Sequence, residues 1–338
     1  MTIFVTGGAG YIGSHAVLEL LESGHDVVVC DNFSNGRPEA LAQIKELSGR
    51  EFVFYEADVR DYDKLDLIFS SHKIDCVMHF AGLKAVGESV AEPLKYYANN
   101  LESTISLCSI MLTHGVWNII FSSSASVYYG GNEMPLREDS IVGNCTNPYA
   151  YTKLMCEQIL KDTAAVNSDF SAVILRYFNV IGAHKSGELG EDPQGIPNNL
   201  VPYIAQTAVG RREVLSVYGD DYETPDGTCI RDYIHVEDLI RGHVAALDYA
   251  NKNKGAAVFN LGTGKGSSNL EVIKAFEDAS GVIINKKNAP RRPGDWAIAY
   301  AAPDKAEKEL NWSAKKTLEN AMADLWRFQS RYPDGYKE

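Results

Sequence analysis

None of the six cysteines (Cys30, Cys76, Cys108, Cys145, Cys156 and Cys229) falls into a C-x-x-C, so neither a dithiol redox pair nor a zinc site can be assembled from near neighbours. Inert thiols and no bound metal are expected. Long hydrophobic runs are missing too. No apolar segment approaches the roughly 20 residues of a membrane span, and the apolar stretch from Ser171 to Ile181 is cut by Arg176. Basic charge is scarce: 32 Lys and Arg against 45 Asp and Glu leave a formal net charge of −13. That balance argues against a phosphate-backbone or anionic-membrane partner, because such proteins gather cations on one face. Internal repeats, low-complexity tracts and heptad arrays are also absent. The first residues, Met1-Thr2-Ile3-Phe4-Val5, read as a strand rather than a basic signal segment, so a cytoplasmic location is expected.

What is present is a regular alternation. Six β-branched runs (3–6, 26–30, 52–57, 76–80, 118–122 and 172–177) are separated by helix-period segments at 12–23, 62–71, 94–114 and 148–166. The pattern predicts a doubly wound α/β fold, with a parallel sheet and ligands at the carboxyl ends of its strands. After Asn179 a Gly- and Pro-rich polar stretch, 182–199, breaks the rhythm. We read residues 1–180 as a nucleotide-binding domain and 181–338 as a smaller α/β substrate domain. Helix-period segments at 236–249 and 269–279 and a strand at 257–261 follow the break. Residues from about 235 to 265 are expected to return to the first domain.

The first strand runs into Gly7-Gly8-Ala9-Gly10-Tyr11-Ile12-Gly13 and then a helix. Glycines there let backbone approach a pyrophosphate at a helix N-terminus, where free N–H groups favour negative charge. Asp31 ends the second strand, about 20 residues on, where a carboxylate accepts from an adenine ribose hydroxyl and repels a 2′-phosphate. The cofactor predicted is NAD. Asp58, after the third strand, serves either the adenine side or the N-cap of the next helix.

Tyr149 and Lys153 are four apart behind Pro148, which suits a first helical turn, so both side chains share one face. A phenol working as a base near neutral pH needs its pKa lowered by about three units, or about 4 kcal/mol. An adjacent ammonium and a positive nicotinamide ring are together sufficient. Ser122-Ser123-Ser124 closes the preceding strand. Ser124 can hydrogen-bond a substrate hydroxyl and Tyr149, or simply cap a turn.

These features together resemble the extended short-chain dehydrogenase/reductase family. The matching motifs are Thr6-Gly7-Gly8-Ala9-Gly10-Tyr11-Ile12-Gly13-Ser14-His15, Asp31-Asn32, His79-Phe80-Ala81-Gly82-Leu83-Lys84-Ala85-Val86, Ser122-Ser123-Ser124-Ala125, Tyr149-Ala150-Tyr151-Thr152-Lys153 and Arg176-Tyr177-Phe178-Asn179. More specific are Gly195-Ile196-Pro197-Asn198-Asn199-Leu200, Arg231-Asp232-Tyr233-Ile234-His235-Val236 and Arg291-Arg292-Pro293-Gly294-Asp295. The resemblance implies NAD contacts from Gly7, Gly10, Tyr11, Ile12, Gly13, Asp31, Asn32, Asn35, Asp58, Val59, Phe80, Ala81, Gly82, Lys84, Asn99, Ser122, Tyr149, Lys153, Tyr177 and Phe178. It puts Lys84 near the reacting centre as well. For a UDP-sugar it implies Lys84, Ser124, Tyr149, Phe178, Asn179, Asn199, Leu200, Ser216, Tyr218, Arg231, Tyr233, Arg292, Asp295 and Ala299.

Arg231 and Arg292 suit a diphosphate on their own chemistry, although the second also reads as part of a solvated basic turn. His235 reads as structural. Relatives that eliminate water from the sugar carry an Asp-Glu pair after the catalytic hydroxyl residue; here Ala125-Ser126 stands there. The implied reaction is therefore reversible inversion at C4 of UDP-glucose and UDP-galactose through a 4-keto sugar. The alternative is another NAD-dependent sugar-nucleotide oxidoreductase. A homodimer built through the helices at 94–114 and 148–166 is implied. Two departures stand out: Tyr129 occupies a usual glycine position, with Gly130 expected to absorb the turn, and small Ala299 is expected to admit a 2-N-acetyl group.

Overall fold

The computed structural model describes residues 1–338 apart from Ile196, Asn198, Pro293, Lys337 and Glu338, so three residues of the downstream motifs lie outside the described residues. In chain order the elements of the first half are β1 (Thr2–Thr6), α1 (Tyr11–Glu22), β2 (Asp26–Asp31), α2 (Pro38–Ser48), β3 (Val53–Glu56), α3 (Tyr62–Ser71), β4 (Cys76–His79), α4 (Val86–Ala91), α5 (Pro93–Thr113), β5 (Asn118–Ser124), α6 (Pro148–Val166) and β6 (Ser171–Tyr177). Then come β7 (Asn179–Ile181), α7 (Leu200–Ala208), β8 (Leu215–Tyr218), β9 (Ile230–His235), α8 (Val236–Lys252), β10 (Gly255–Leu261), β11 (Gly266–Ser268), α9 (Asn269–Ser280), β12 (Lys286–Ala289), β13 (Ile298–Ala299), α10 (Asp304–Leu310) and α11 (Leu318–Arg331).

Seven strands form one parallel sheet in the order β10-β6-β5-β4-β1-β2-β3. Its strands are apolar on both faces, as a sheet covered twice requires. Ile3, Val5, Val27, Val29, Met78, Ile120, Val173 and Leu175 point to the face covered by α1, α2 and α8. The alternating residues Phe4, Val28, Val77, Ile119, Phe121, Ala172 and Ile174 point to the face covered by α3, α5 and α6. Each such side chain contributes about 1.5–3 kcal/mol by leaving water.

After β1 the chain winds outward through β2 and β3, then returns to β4 on β1's other side. The crevice at that reversal is where a doubly wound fold binds ligands. The β10 strand, lying in the second half of the sequence, is the last member of this sheet, in register from Gly255↔Ser171 to Leu261↔Tyr177.

Around β9 a smaller sheet forms: β7 and β13 pair parallel with it and β11 antiparallel, while β8 and β12 make a separate parallel pair. Their core gathers Val201, Ile204, Leu215, Val217, Val272, Phe276, Met322 and Leu325. No helix among the described residues is long and apolar enough to cross a membrane.

Candidate active site

The turn between β1 and α1 is a cradle with no side chains in it. Gly7 has φ +70°, and a Cβ there would come within 2.8 Å of the Ala81 nitrogen. At Gly13 a Cβ would collide with the Gly7 carbonyl, so only glycine lets α1 start this close to the turn. Gly10 differs, since its Cβ would meet nothing of the protein closer than the Gly7 oxygen at 3.3 Å. Gly10 lines the pocket with Ala9, Tyr11, Asn35, Arg37, Lys84 and Glu191. It is also the N-cap of α1 and offers no capping side chain. Free first-turn amides and a bare backbone floor fit an anionic dinucleotide bridge.

At the end of β2 the Asp31 carboxylate accepts from the Ala9 amide at 3.0 Å and the Phe33 amide at 2.8 Å. Burial raises its pKa while these two amides oppose the rise. Asp58 is bidentate with Arg60, accepts from Asn32 at 3.2 Å, and is held down at about 2, chiefly by that guanidinium. The N-cap of α3 is Asp61, so Asp58 is free of the capping duty. Val59 is buried beside it.

Two groups that sequence reasoning missed close this pocket. Asp192 sits 3.0 Å from Arg37 and also accepts from the Tyr336 amide at 3.2 Å. Glu191 lies 3.0 Å from Lys84. The Lys84 ammonium thus faces the glycine pocket and Glu191, a position the reacting-centre expectation had not foreseen. Tyr11 completes the wall by donating to the Gly182 carbonyl at 2.7 Å.

Tyr149 and Lys153 lie in α6, which opens on Asn147 as N-cap, accepting from the Ala150 amide at 2.9 Å, and Pro148 in the first turn. The buried Lys153 ammonium donates to the Ser122 carbonyl at 2.7 Å and lies 5.0 Å from the Phe121 ring centre. Desolvation pushes its pKa down to about 8. The Tyr149 phenol is raised by burial and pulled back by the Ser124 hydroxyl. The Lys153 ammonium lies on the same helix face as Tyr149, and its bond to the Ser122 carbonyl uses one of its three donors. Ser124 also caps the short 3-10 turn Ala125–Val127, accepting from Ser126 N at 3.2 Å and Ser126 Oγ at 2.9 Å. Of the two roles foreseen for it, capping is the one these bonds show. Ser122 pairs through its hydroxyl with Tyr177.

Asn100 was another missed residue. Its side chain accepts from Leu83 N at 2.8 Å and donates to Leu83 O at 3.0 Å and Thr152 Oγ1 at 2.9 Å, tying the loop after β4 to α6. Asn99, expected at the cofactor, donates to the Asn100 side chain at 3.1 Å. The aromatic rings of Phe80 and Tyr177 both pack on His243, at 4.9 and 5.7 Å. Ala81 and Phe178 are part-buried nearby in sequence, while Gly82 is exposed and has φ +157°.

On the other side, Arg231 of β9 lies 3.5 Å from Asp295 and stands in register with Ala299 of β13. Arg292 stacks on Tyr218 at 4.0 Å, so it is held on an aromatic face rather than free in a basic turn. Tyr233 is buried and donates to Asn269 at 3.4 Å. Ser216 precedes Tyr218 on β8, Asn179 begins β7, and Asn199 and Leu200 open α7, with the Asn199 side chain exposed and free of capping. A Cβ at Gly130 would fall 2.5 Å from the Trp296 ring, and one at Gly294 would fall 3.2 Å from Thr146. Gly294 thus lies against Thr146, just before α6, and Trp296 against Gly130 in the loop after β5. Gly130 lies in the turn that the Asn132 amide closes on the Tyr129 carbonyl at 3.2 Å, as expected; it does so without positive φ, and its missing Cβ makes room for an indole beside exposed Tyr129.

His235 caps α8, accepting from Glu237 N at 3.0 Å, and contacts Asp324 at 3.1 Å, a structural histidine as read from sequence. All six cysteines are unpaired thiols, five of them buried. Burial pushes Cys30 and Cys108 up to about 12.

Residues 3–262 match the family model described as the NAD dependent epimerase/dehydratase family. The UDP-glucose 4-epimerase of Bacillus subtilis (strain 168) is 56% identical over 337 residues, covering 100% of this chain and 99% of that protein. A crystal structure of UDP-glucose 4-epimerase from Bifidobacterium longum in complex with NAD+ and UDP superposes with a TM-score of 0.96 at 51% identity, covering 99% and 100% of the two chains. The UDP-Glc/GlcNAc 4-epimerase from Campylobacter jejuni gives a TM-score of 0.85 at 40% identity, covering 98% and 99%.

Proposed function

The chain belongs to the NAD dependent epimerase/dehydratase family, and on that premise we propose that it inverts C4 of UDP-glucose and UDP-galactose in both directions through a transient 4-keto sugar. The protein is an NAD-dependent epimerase of UDP-sugars. The observation that carries the residue assignment is the meeting of Ser124, Tyr149 and Lys153 at the carboxyl end of β5, beside a glycine cradle shaped for a dinucleotide.

NAD, when bound, supplies the acceptor and donor of the hydride at C4. Tyr149 takes the C4 hydroxyl proton and returns it after the sugar has turned. Ser124 orients the hydroxyl, and Lys153 places a cation beside the proton-transfer site. Arg231 and Arg292 hold the diphosphate, so the sugar can rotate while its nucleotide stays anchored. Ala125-Ser126 offers no acid pair after Ser124, which leaves elimination without its proton carriers.

Ala299, small, buried and in register with Arg231, supports turnover of UDP-GlcNAc and UDP-GalNAc as well. Exposed Leu94 and Ile105 on α5 and Met155 on α6 support a homodimer through these two adjacent helices. A cytoplasmic place in galactose metabolism accords with a set of unpaired thiols. The direct test supplies UDP-galactose to the purified protein with no added cofactor. UDP-glucose should form without net NADH; stoichiometric NADH with an oxidised sugar would overturn the reading.

A further inference from the structure

Arg176 is among the largest side chains wholly removed from solvent, and it lies near the carboxyl end of β6, between Leu175 and Tyr177. A buried guanidinium needs a full set of partners. Its first is Glu157 of α6, reached by Nε at 2.8 Å and Nη2 at 2.6 Å. The Glu157 side chain is likewise wholly buried and takes a third short bond, 2.6 Å, from the Ser123 hydroxyl. Lys161 approaches it at 3.3 Å. On its other side Arg176 stacks 4.7 Å from the Tyr128 ring centre and donates to the Glu138 carbonyl at 3.3 Å.

Three separate pieces of the reacting centre are thereby joined through one ion pair. Glu157 follows Lys153 by one turn and Tyr149 by two on the same helix face. Ser123 lies between Ser122, whose carbonyl holds Lys153, and Ser124. Tyr128 and Glu138 bracket the loop that leaves Ser124. We propose that Glu157 and Arg176 are positioning residues for the epimerisation, fixing α6 against the end of β5 so that Tyr149 and Ser124 act on one hydroxyl; this rests on the catalytic reading above.

The pair also bears on the Lys153 charge. Cys156 and Glu157 on α6 and His79 on β4 act on its ammonium; Tyr149 is one turn back on α6, and Tyr177 bonds Ser122, whose carbonyl holds the ammonium. Burial keeps the phenols and the thiol protonated and holds His79 neutral, down at about 3. Glu157, held by Arg176 one turn from Lys153, is an anion that favours the ammonium.

The test compares Glu157→Gln, Arg176→Lys, the charge-free double variant Glu157→Met/Arg176→Met and the mild Ser123→Ala, each as NAD-loaded protein checked for folding by circular dichroism. The expected result in every folded variant is a lower kcat, on the order of tenfold for the ion-pair variants and about threefold for Ser123→Ala. KM and bound NAD should change less than about twofold. In Glu157→Gln the alkaline limb of the kcat profile should move to lower pH. If the folded double variant and Ser123→Ala keep wild-type kcat and pH profile, the pair serves only folding and the proposal is overturned. A wild-type protein that fails to invert C4 would instead sink the underlying reading.

Discussion

Lys153 gives its ammonium to the Ser122 carbonyl at 2.7 Å, while the Tyr149 phenol one turn earlier feels burial and the Ser124 hydroxyl. Without cofactor, Tyr149 therefore stays protonated at neutral pH. Tyr149→Phe keeps the ring and loses only the acid-base group. We expect kcat to fall about 10²–10⁴-fold, with KM for UDP-galactose and bound NAD nearly unchanged. Steady-state kinetics and cofactor content after denaturation measure both.

Removing the buried cation should separate activity from stability. Lys153 has its pKa lowered from 10.5 to about 8 by desolvation, so between those values the unfolded chain binds more protons and stability rises with pH. Below about 8 the ammonium is a cost of roughly 3 kcal/mol. Lys153→Met removes it. Relative to wild type, the variant's stability should fall by that amount as pH rises from 7 to 10.5, while its kcat is at least about a hundredfold lower throughout. Denaturant melts at several pH values would show a flat difference if the burial argument is wrong.

Cofactor retention should depend on a contact far from the chemistry. Asp192 joins Arg37, beside the glycine turn, to Tyr336 near the end of the chain. Losing a charge-assisted contact of this kind is worth about 1.5–3 kcal/mol. Asp192→Ala should therefore release NAD at least about tenfold faster, read by gel filtration followed by assay of residual cofactor. Release at the wild-type rate would show that the 190–194 segment does not hold the dinucleotide.

On the proposed reading Ala299 is the determinant of sugar selectivity. Ala299→Tyr should abolish turnover of UDP-GalNAc and leave UDP-galactose within about threefold, because an added ring fills space that only the 2-N-acetyl group needs. Chromatographic separation of the four UDP-sugars decides it; wild-type protein inactive on UDP-GalNAc would refute the assignment.

The central sheet was legible because its strands carry long β-branched runs, and α3 and α6 have the bounds their periodicity and Pro148 predict. The α2 helix was hidden: Pro38 follows a Ser-Asn-Gly stretch that reads as a turn, and its amphipathic face is only three buried residues wide. The short strands β7, β8, β11 and β13 span two to four residues and owe their form to pairing partners distant in sequence. At the site, glycines and the Tyr-Lys spacing carry local signals. Asn100, Glu157 and Asp192 do not, since their significance lies in contacts across 17 to 144 residues of chain. Arg176 gave a usable sign: a cation interrupting an apolar strand demands a buried partner.

The place of β10 in the main sheet has a consequence for how this chain is born. During synthesis β6 emerges with Ala172–Leu175 as an open parallel edge, and its neighbour is made only after β7, α7, β8, β9 and α8. A nascent chain halted near residue 180 presents a bare, apolar strand to any other copy. Nucleotide-binding architecture thus matures late, and a fragment ending there should self-associate rather than serve as a free-standing NAD module.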